Sequence, residues 1–142
     1  MLPLIHSEDI NDHDLGHKLV DEYLNTYWAD GLVVSTPTGS TGYSLSCGGP
    51  IIMPGTNNII ITPNAPHNLN VRPIVIDDKS VVKLKVEDRD QLALVSLDSR
   101  SRAFDSGTEL TIKKAKFKIK LVQPQNNSFT STIRHKLMWG LD

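Results

Sequence analysis

The chain of 142 residues has the length of one ordinary domain, enough to bury about two-thirds of its unfolded surface around a single core. Its single cysteine, Cys47, excludes an internal disulfide. No apolar run approaches the ~18 residues that a membrane-spanning helix needs, and the first residues lack the pattern of a secretory signal peptide. These features predict a cytoplasmic protein with no membrane segment.

The net charge of −1 hides an asymmetry between the two halves of the chain. Residues 1 to 71 hold one basic residue against seven acidic ones, whereas residues 72 to 142 hold fourteen against nine, so the halves carry −6 and +5. This division suits self-association, or an anionic ligand held where the halves meet, better than it suits nucleic acid. We interpret the alternating lysines of residues 113–120 as a solvated strand face and predict no nucleic-acid partner.

The first 22 residues form a polar segment, which we interpret as a leader or a misplaced start that lies outside the domain. Three histidines, His6, His13 and His17, lie among acidic residues there, and the last two have an i, i+4 spacing that can serve a metal ion on a helix. A frayed polar terminus explains the same composition. We therefore predict one domain over residues 23–142 and no metal site.

The apolar run of residues 31–34 is followed by STPTGSTGYSLSCGG at residues 35–49, the densest group of hydroxyls and glycines in the chain. Pro37 ends the apolar run, and Gly39 and Gly42 allow the backbone to approach a ligand closely. This segment is the first candidate for a binding site. A tight turn without a ligand is the alternative that a short motif leaves open.

Stretches rich in β-branched residues and bounded by Asn, Asp, Pro or Ser then recur, and each predicts a strand. They are residues 57–62, 72–77, 81–86, 92–97 and 108–113. The clearest alternation lies at residues 116–121, where a period of two predicts that Phe117, Ile119 and Leu121 share a buried face. Strands spaced this closely indicate a mainly β fold, an antiparallel β-sandwich.

Helical signals occur in two places. Thr38 or Ser40 can cap a short helix after the Gly-rich loop, which ends at Gly48 and Gly49. A C-terminal helix is predicted by an apolar stripe of Phe129, Ile133, Leu137 and Met138. Because this stripe and the strand edges need cover, we expect a homodimer or a homotetramer.

Three segments together carry a resemblance to a known family. They are ADGLVVSTPTGSTGYSLSCGGPI at residues 29–51, ITPNAPHNLNVRPIVI at residues 61–76 and IRHKLMWG at residues 133–140. Over residues 23–142 the sequence resembles the C-terminal domain of NAD kinase, and a match of this length is far more specific than a bare glycine pattern. The resemblance implies a β-sandwich that holds NAD. It also implies an enzyme that transfers a phosphoryl group from ATP or polyphosphate, with Mg²⁺, to the 2′-hydroxyl of the adenosine ribose.

The sequence also departs from the family pattern. The GGDG motif, whose Asp acts on the accepting hydroxyl, and the Asn-Glu pair that holds the NAD ribose do not occur in these 142 residues. Asp98, Ser99 and Arg100 stand where relatives usually have Asp-Gly-Gln, so no role is carried over to Ser99 or Arg100. The resemblance implies that catalysis needs a missing N-terminal kinase domain and that this chain alone is inactive. A non-catalytic nucleotide-binding or regulatory module is the alternative.

The resemblance implies no catalytic residue in this chain but several that bind the dinucleotide. Asp30 would accept the amide group of nicotinamide, in some members across a subunit boundary. Thr41 and Gly42 would border the adenine and its ribose. Tyr43 would offer an aromatic face, and Ser46 a hydroxyl one helical turn later.

Ala65 and His67 complete the implied set, near the nicotinamide end and from a neighbouring subunit. Simpler interpretations stay open at this point. Asp30 before a glycine is also typical of a turn, and Tyr43 is also explained as a core aromatic. Arg72 can anchor a partner or a phosphate, or it can lie along the surface with its charge in water.

Overall fold

The computed structural model describes residues 2–7, 22–86, 92–120, 122 and 128–140. Its first strands and helical turns are β1 (Leu2–Ser7), β2 (Glu22–Tyr27), β3 (Gly31–Ser35), a 3₁₀ turn (Thr38–Thr41), α1 (Tyr43–Ser46) and β4 (Asn58–Asn64). They are followed by β5 (Ile74–Asp77), β6 (Val81–Lys85), β7 (Leu92–Leu97), β8 (Arg100–Asp105), β9 (Glu109–Ile112) and α2 (Phe129–Leu137).

The strands form three antiparallel sheets. One has the order β2-β1-β6-β9, the second has the order β3-β4-β5, and β7 pairs with β8 alone. The prediction of a mainly β fold with a short helix after the Gly-rich loop and a C-terminal helix is therefore confirmed.

The first residues take part in this fold. β1 is an interior strand of the four-stranded sheet, paired with β2 on one side and β6 on the other, and it lies within the segment interpreted as a leader. The domain boundary at residue 23 stays a prediction. His13 and His17 lie outside the described residues.

The core lies between the two larger sheets. Buried side chains of Tyr27, Val82 and Leu84 come from the four-stranded sheet and form one cluster with Ile59 and Ile61 of the three-stranded sheet. Complete burial of an isoleucine stabilises a fold by about 1.5–3 kcal/mol. Burial also raises the pKa of Tyr27, with the Asn25 side chain acting in the opposite direction. The two sheets therefore pack face to face around a single core.

β4 is buried on both of its faces. Ile59 and Ile61 face the core, whereas Ile60 and Thr62 alternate with them and are also fully buried. The second face is covered by residues 36–49, which we call the loop–helix layer: Ser44 of this layer meets Thr62 at 2.9 Å between the hydroxyl oxygens. Burial on both faces explains why the sequence of β4 contains a continuous run of apolar residues instead of an alternating pattern.

The segment after β9 differs from its prediction. Residues 113–120 form no strand, and Phe117 and Ile119 are 73% and 81% exposed, so the predicted buried face is wrong for these two residues. Leu121 lies outside the described residues. The physical reason is that no strand of the described chain pairs with this segment. It is held near its start by an ion pair between Lys114 and the buried Asp78.

α2 begins at the predicted place and ends one residue early. Ser128 caps it by accepting a hydrogen bond from the Ser131 amide at 3.1 Å. Met138, predicted as part of the stripe, is the C-cap in a left-handed conformation (φ 56°). No residue of α2 is buried. Among the described residues no helix has the length and apolarity that crossing a membrane requires.

Candidate functional site

The Gly-rich loop is fixed by its own hydroxyl groups. Ser40 is fully buried, donates from Oγ to the Pro37 carbonyl at 2.6 Å and accepts from the Ile52 amide at 3.0 Å. The Thr36 hydroxyl accepts from the Gly39 amide at 3.3 Å. Neither predicted helix cap is used, because no side chain caps the 3₁₀ turn or α1. These hydroxyls hold the loop in place and leave Thr41 exposed beside them.

α1 rests directly on β4. Besides the contact between Ser44 and Thr62, the amide of Gly49 donates to the Ser44 carbonyl at 2.8 Å. A Cβ at Gly49 would lie 2.7 Å from that carbonyl oxygen and 2.8 Å from Oγ1 of Thr62, so the position admits only glycine. With Ser44 turned inward, Tyr43 and Ser46 are exposed on α1. Tyr43 is 64% exposed, so the prediction of a surface aromatic fits better than a core aromatic.

A second group of predicted residues gathers where β3 begins and β4 ends. The amide of Asp30 donates to the Asn64 carbonyl at 3.1 Å, and the amide of His67 donates to the Trp28 carbonyl at 2.8 Å. Ala65 between them has a positive φ of 47°, which turns the chain out of β4. Oδ1 of Asp30 and Nε2 of His67 are 4.0 Å apart on the surface.

The loop after β4 carries its own internal bonds. The Asn68 side chain accepts from the Asn70 amide at 2.9 Å, and the Asn68 carbonyl accepts from the Val71 amide at 3.2 Å. Nη1 of Arg72 donates to the carbonyls of Leu69 and Val71 at 2.6 and 2.8 Å. This guanidinium therefore braces the loop that carries His67, a role that neither interpretation of Arg72 included.

Asn64 joins the two groups, and it was not among the residues predicted from the sequence. Its Nδ2 donates to the Tyr43 hydroxyl at 3.5 Å, and its Oδ1 accepts from the Cys47 thiol at 3.5 Å. Cys47 is therefore a half-buried hydrogen-bonding residue. The only available signal was the position of an asparagine at the end of an apolar run and before a turn.

The structure thus brings most of the predicted residues to one surface. Asp30, Ala65 and His67 lie together, and Tyr43 is linked to them through Asn64. Thr41 and Gly42 precede Tyr43 directly, and Ser46 is exposed on α1, three residues after Tyr43.

Two cavities adjoin this surface. An open cavity of about 310 Å³ beside His67 has polar and aromatic walls formed by Asn25, Thr26, Trp28, His67, Asn68 and Val71. A larger apolar groove of about 800 Å³ lies between the β7–β8 hairpin and the two sheets and reaches Asp30 and Gly31. The smaller cavity has the size of a small-molecule subsite. Among the described residues, no group of three or more His, Cys, Asp or Glu side chains could hold a metal ion.

Residues 10–124 match the family model described as the ATP-NAD kinase C-terminal domain. The chain is similar to the NAD kinase of Christiangramia forsetii, with 57% identity over 124 residues that cover 87% of this chain and 42% of that protein. It is 58% identical to the NAD kinase of Flavobacterium psychrophilum over 121 residues, 85% of this chain and 41% of the relative. The chain therefore spans about two-fifths of the length of the curated relatives it matches.

Two solved structures share the fold. The crystal structure of yeast NADH kinase complexed with NADH superposes with a TM-score of 0.77 at 25% identity, over 99% of this chain and 41% of that one. An NAD kinase from Archaeoglobus fulgidus in complex with ATP superposes with a TM-score of 0.63 at 28% identity, over 82% of this chain and 41% of that one.

Proposed function

Because the chain belongs to the ATP-NAD kinase C-terminal domain family, we propose that it is the NAD-binding part of an NAD kinase. The whole enzyme would phosphorylate the 2′-hydroxyl of the adenosine ribose of NAD to make NADP. The observation that carries this proposal is the exposed surface on which Tyr43, Asp30 and His67 converge. The similarity to a kinase solved with NADH, which extends over nearly the whole chain, supports the same assignment.

The proposed contacts follow from the chemistry of each group. The Asp30 carboxylate can only accept hydrogen bonds, which suits the amide NH₂ of nicotinamide, and His67 and Ala65 lie on the same side. Tyr43 offers its ring and hydroxyl, with Thr41 and Gly42 next to the adenine and its ribose. Ser46 would add a hydroxyl contact. The nearness of Asp30 and His67 supports one shared nicotinamide subsite, whether this chain or a neighbouring subunit supplies it.

The phosphoryl donor would be ATP or polyphosphate with Mg²⁺, and it would meet the acceptor outside the described residues. Phosphoryl transfer depends on positioning and on stabilisation of charge, and the chain contains no GGDG motif to supply the acting Asp. We assign no Mg²⁺ ligand here, since no suitable cluster occurs among the described residues. The chain alone would therefore fix the acceptor without turning it over.

We propose a cytoplasmic homodimer or homotetramer as the working form, with no nucleic-acid partner. The low cysteine content, a single cysteine, supports the cytoplasmic location. The assembly is supported by apolar side chains that are left exposed, among them Trp28, Leu94 and Trp139. Light scattering at tens of micromolar should show an assembly larger than a monomer. A purely monomeric chain would contradict the proposed assembly but not the binding of NAD.

The binding proposal is tested by calorimetry with NAD and NADP on the wild-type chain and on Asp30→Ala. We expect weak binding by the wild type and a loss of about 10- to 100-fold in Asp30→Ala, because hydrogen bonds to charged groups contribute ~1.5–3 kcal/mol. Lys79→Ala is the matched control, since Lys79 is an exposed charged residue in the turn between β5 and β6. Lack of binding by the wild type would contradict the proposal.

A kinase assay separates the enzyme from a non-catalytic module. The chain alone should form no NADP from NAD, ATP and Mg²⁺. The C. forsetii relative has an N-terminal part that lies outside its match to this chain. A mixture of that part with this chain should form NADP. Binding of NAD without turnover in any mixture would favour the regulatory module.

A further inference from the structure

Asn64 is held between the two parts of the candidate site by both its backbone and its side chain. It is the last residue of β4 and pairs with Gly31, and its carbonyl accepts the Asp30 amide at 3.1 Å. Its Cβ and Nδ2 lie 3.8 and 4.0 Å from where a Cβ on Gly31 would be, which is ordinary van der Waals distance. The side chain then reaches α1, where it meets Tyr43 and Cys47.

The two neighbours on α1 determine which way the amide faces. The Cys47 thiol donates to Oδ1 of Asn64, with Sγ and Oδ1 3.5 Å apart, so the amide oxygen faces Cys47. The NH₂ group then faces Tyr43 at 3.5 Å. An amide NH₂ group can only donate, and therefore the Tyr43 hydroxyl accepts in this contact. Its own proton is turned away from Asn64 toward the open surface.

This arrangement gives the Tyr43 hydroxyl a defined direction of hydrogen bonding. The ring is 64% exposed, and its hydroxyl, already an acceptor on one side, remains a donor on the other. The groups of a dinucleotide that could receive this proton are the oxygens of a phosphate or a ribose, the ring nitrogens of adenine and the carbonyl oxygen of nicotinamide. They carry lone pairs, whereas a donor group of the ligand would compete with the NH₂ group of Asn64 for the same oxygen.

We propose that Asn64 is a positioning residue that fixes the Tyr43 hydroxyl as a hydrogen-bond donor to an acceptor atom of the bound dinucleotide. The inference rests on the proposed function, because it assumes that the dinucleotide lies against Tyr43. It adds a residue that touches no ligand itself and acts through the orientation of one proton.

The orientation can be measured without ligand. Tyrosine Raman spectra report whether a phenol donates or accepts, and subtraction of the Tyr43→Phe spectrum isolates the contribution of Tyr43 from the three tyrosines of the chain. We expect the signature of a phenol that both accepts and donates in the wild type, because its proton faces water, and a donor signature in Asn64→Asp, since a carboxylate can only accept. Identical Tyr43 signatures in the two proteins would overturn the proposal.

The consequence for binding is tested by NAD titration of the full 142-residue chain in a double-mutant cycle. Asn64→Leu and Tyr43→Phe should each weaken NAD about 3- to 10-fold, the range for one hydrogen bond. Asn64→Leu should cause no further loss in the Tyr43→Phe protein. Asn58→Asp is the matched control and should bind NAD normally. Asn58 lies at the other end of β4, where its side chain donates to the Ile76 carbonyl.

Thermal unfolding of each variant identifies a purely structural effect. Such an effect of Asn64→Leu would lower the midpoint of thermal unfolding, and it would weaken NAD binding equally in the wild-type and the Tyr43→Phe proteins. Such additivity would overturn the proposal. Normal NAD binding by Asn64→Leu together with weaker binding by Tyr43→Phe would also overturn it while leaving the proposed function intact. Absence of NAD binding by the wild type would overturn the proposed function, and this inference with it.

Discussion

The loop–helix layer buries polar side chains, whereas the segment after β9 exposes apolar ones. In the layer, Ser40 and Ser44 are buried, and both hydroxyls have partners within the fold. After β9, Phe117 and Ile119 alternate with lysines in a regular pattern, yet both remain exposed. Burial here is determined by what lies opposite a side chain, because a polar group with a partner can be buried and an apolar group without one cannot.

The largest expected effect tests how tightly the layer is packed. Gly49→Ala would bring a methyl group within 2.7 Å of the Ser44 carbonyl oxygen and 2.8 Å of Thr62 Oγ1, so we expect a loss of about 3 kcal/mol in the free energy of unfolding. Urea denaturation measures it. The matched control is Gly48→Ala, which meets no atom within 4 Å but has a φ of +81° and should lose only about 1 kcal/mol. Equal losses in the two variants would show that the layer is loosely packed.

A smaller effect is expected from the buried hydroxyl pair. Ser44→Ala and Thr62→Val should each lower the free energy of unfolding by about 1–2 kcal/mol, because each leaves one buried hydroxyl without its 2.9 Å partner. The double variant should lose less than the sum of the two, since neither hydroxyl remains unpaired. Strict additivity in urea denaturation would indicate that the two hydroxyls do not interact.

The smallest effect concerns α2. Ser128→Ala removes the cap that accepts the Ser131 amide, and caps of this kind contribute ~1 kcal/mol to a helix. Because α2 has no buried residue, we expect faster amide exchange within residues 129–137 and an unchanged midpoint for the sheets. His135→Ala, which changes an exposed side chain in the last turn of the same helix, is the control. A clear fall in the global midpoint would mean that α2 supports the core.

The sequence was a good guide where local chemistry decides the structure. The β-branched runs predicted β5, β6, β7 and β9 to within a few residues. The Gly-rich loop directly follows β3, which is formed by the apolar run before it. β4 continues two residues beyond its prediction, through Pro63 and Asn64. A proline is tolerated there because β5 pairs only as far as Ile61, so no neighbour on that side needs the missing amide.

The sequence failed where the deciding partner is distant. β8 carries little apolar surface, with only Phe104 half-buried, and it forms because the turn at Asp98 and Ser99 folds it back on β7. Residues 116–120 show a strand pattern, but no strand in the described part of the chain pairs with them. In the candidate site, the motif predicted Tyr43 and Asp30. Asn64 could not be predicted, since its partners on α1 come from another part of the chain.

The bracing of the loop by Arg72 has a kinetic consequence. The Arg72 guanidinium donates to two carbonyls of the loop, and the Asn68 side chain accepts from the Asn70 amide. The segment around His67 is therefore already ordered by hydrogen bonds within the chain. A molecule that arrives at His67 therefore meets a preorganised edge and loses little conformational entropy in seating itself. Association at this end of the surface should be limited by encounter rather than by rearrangement of the protein.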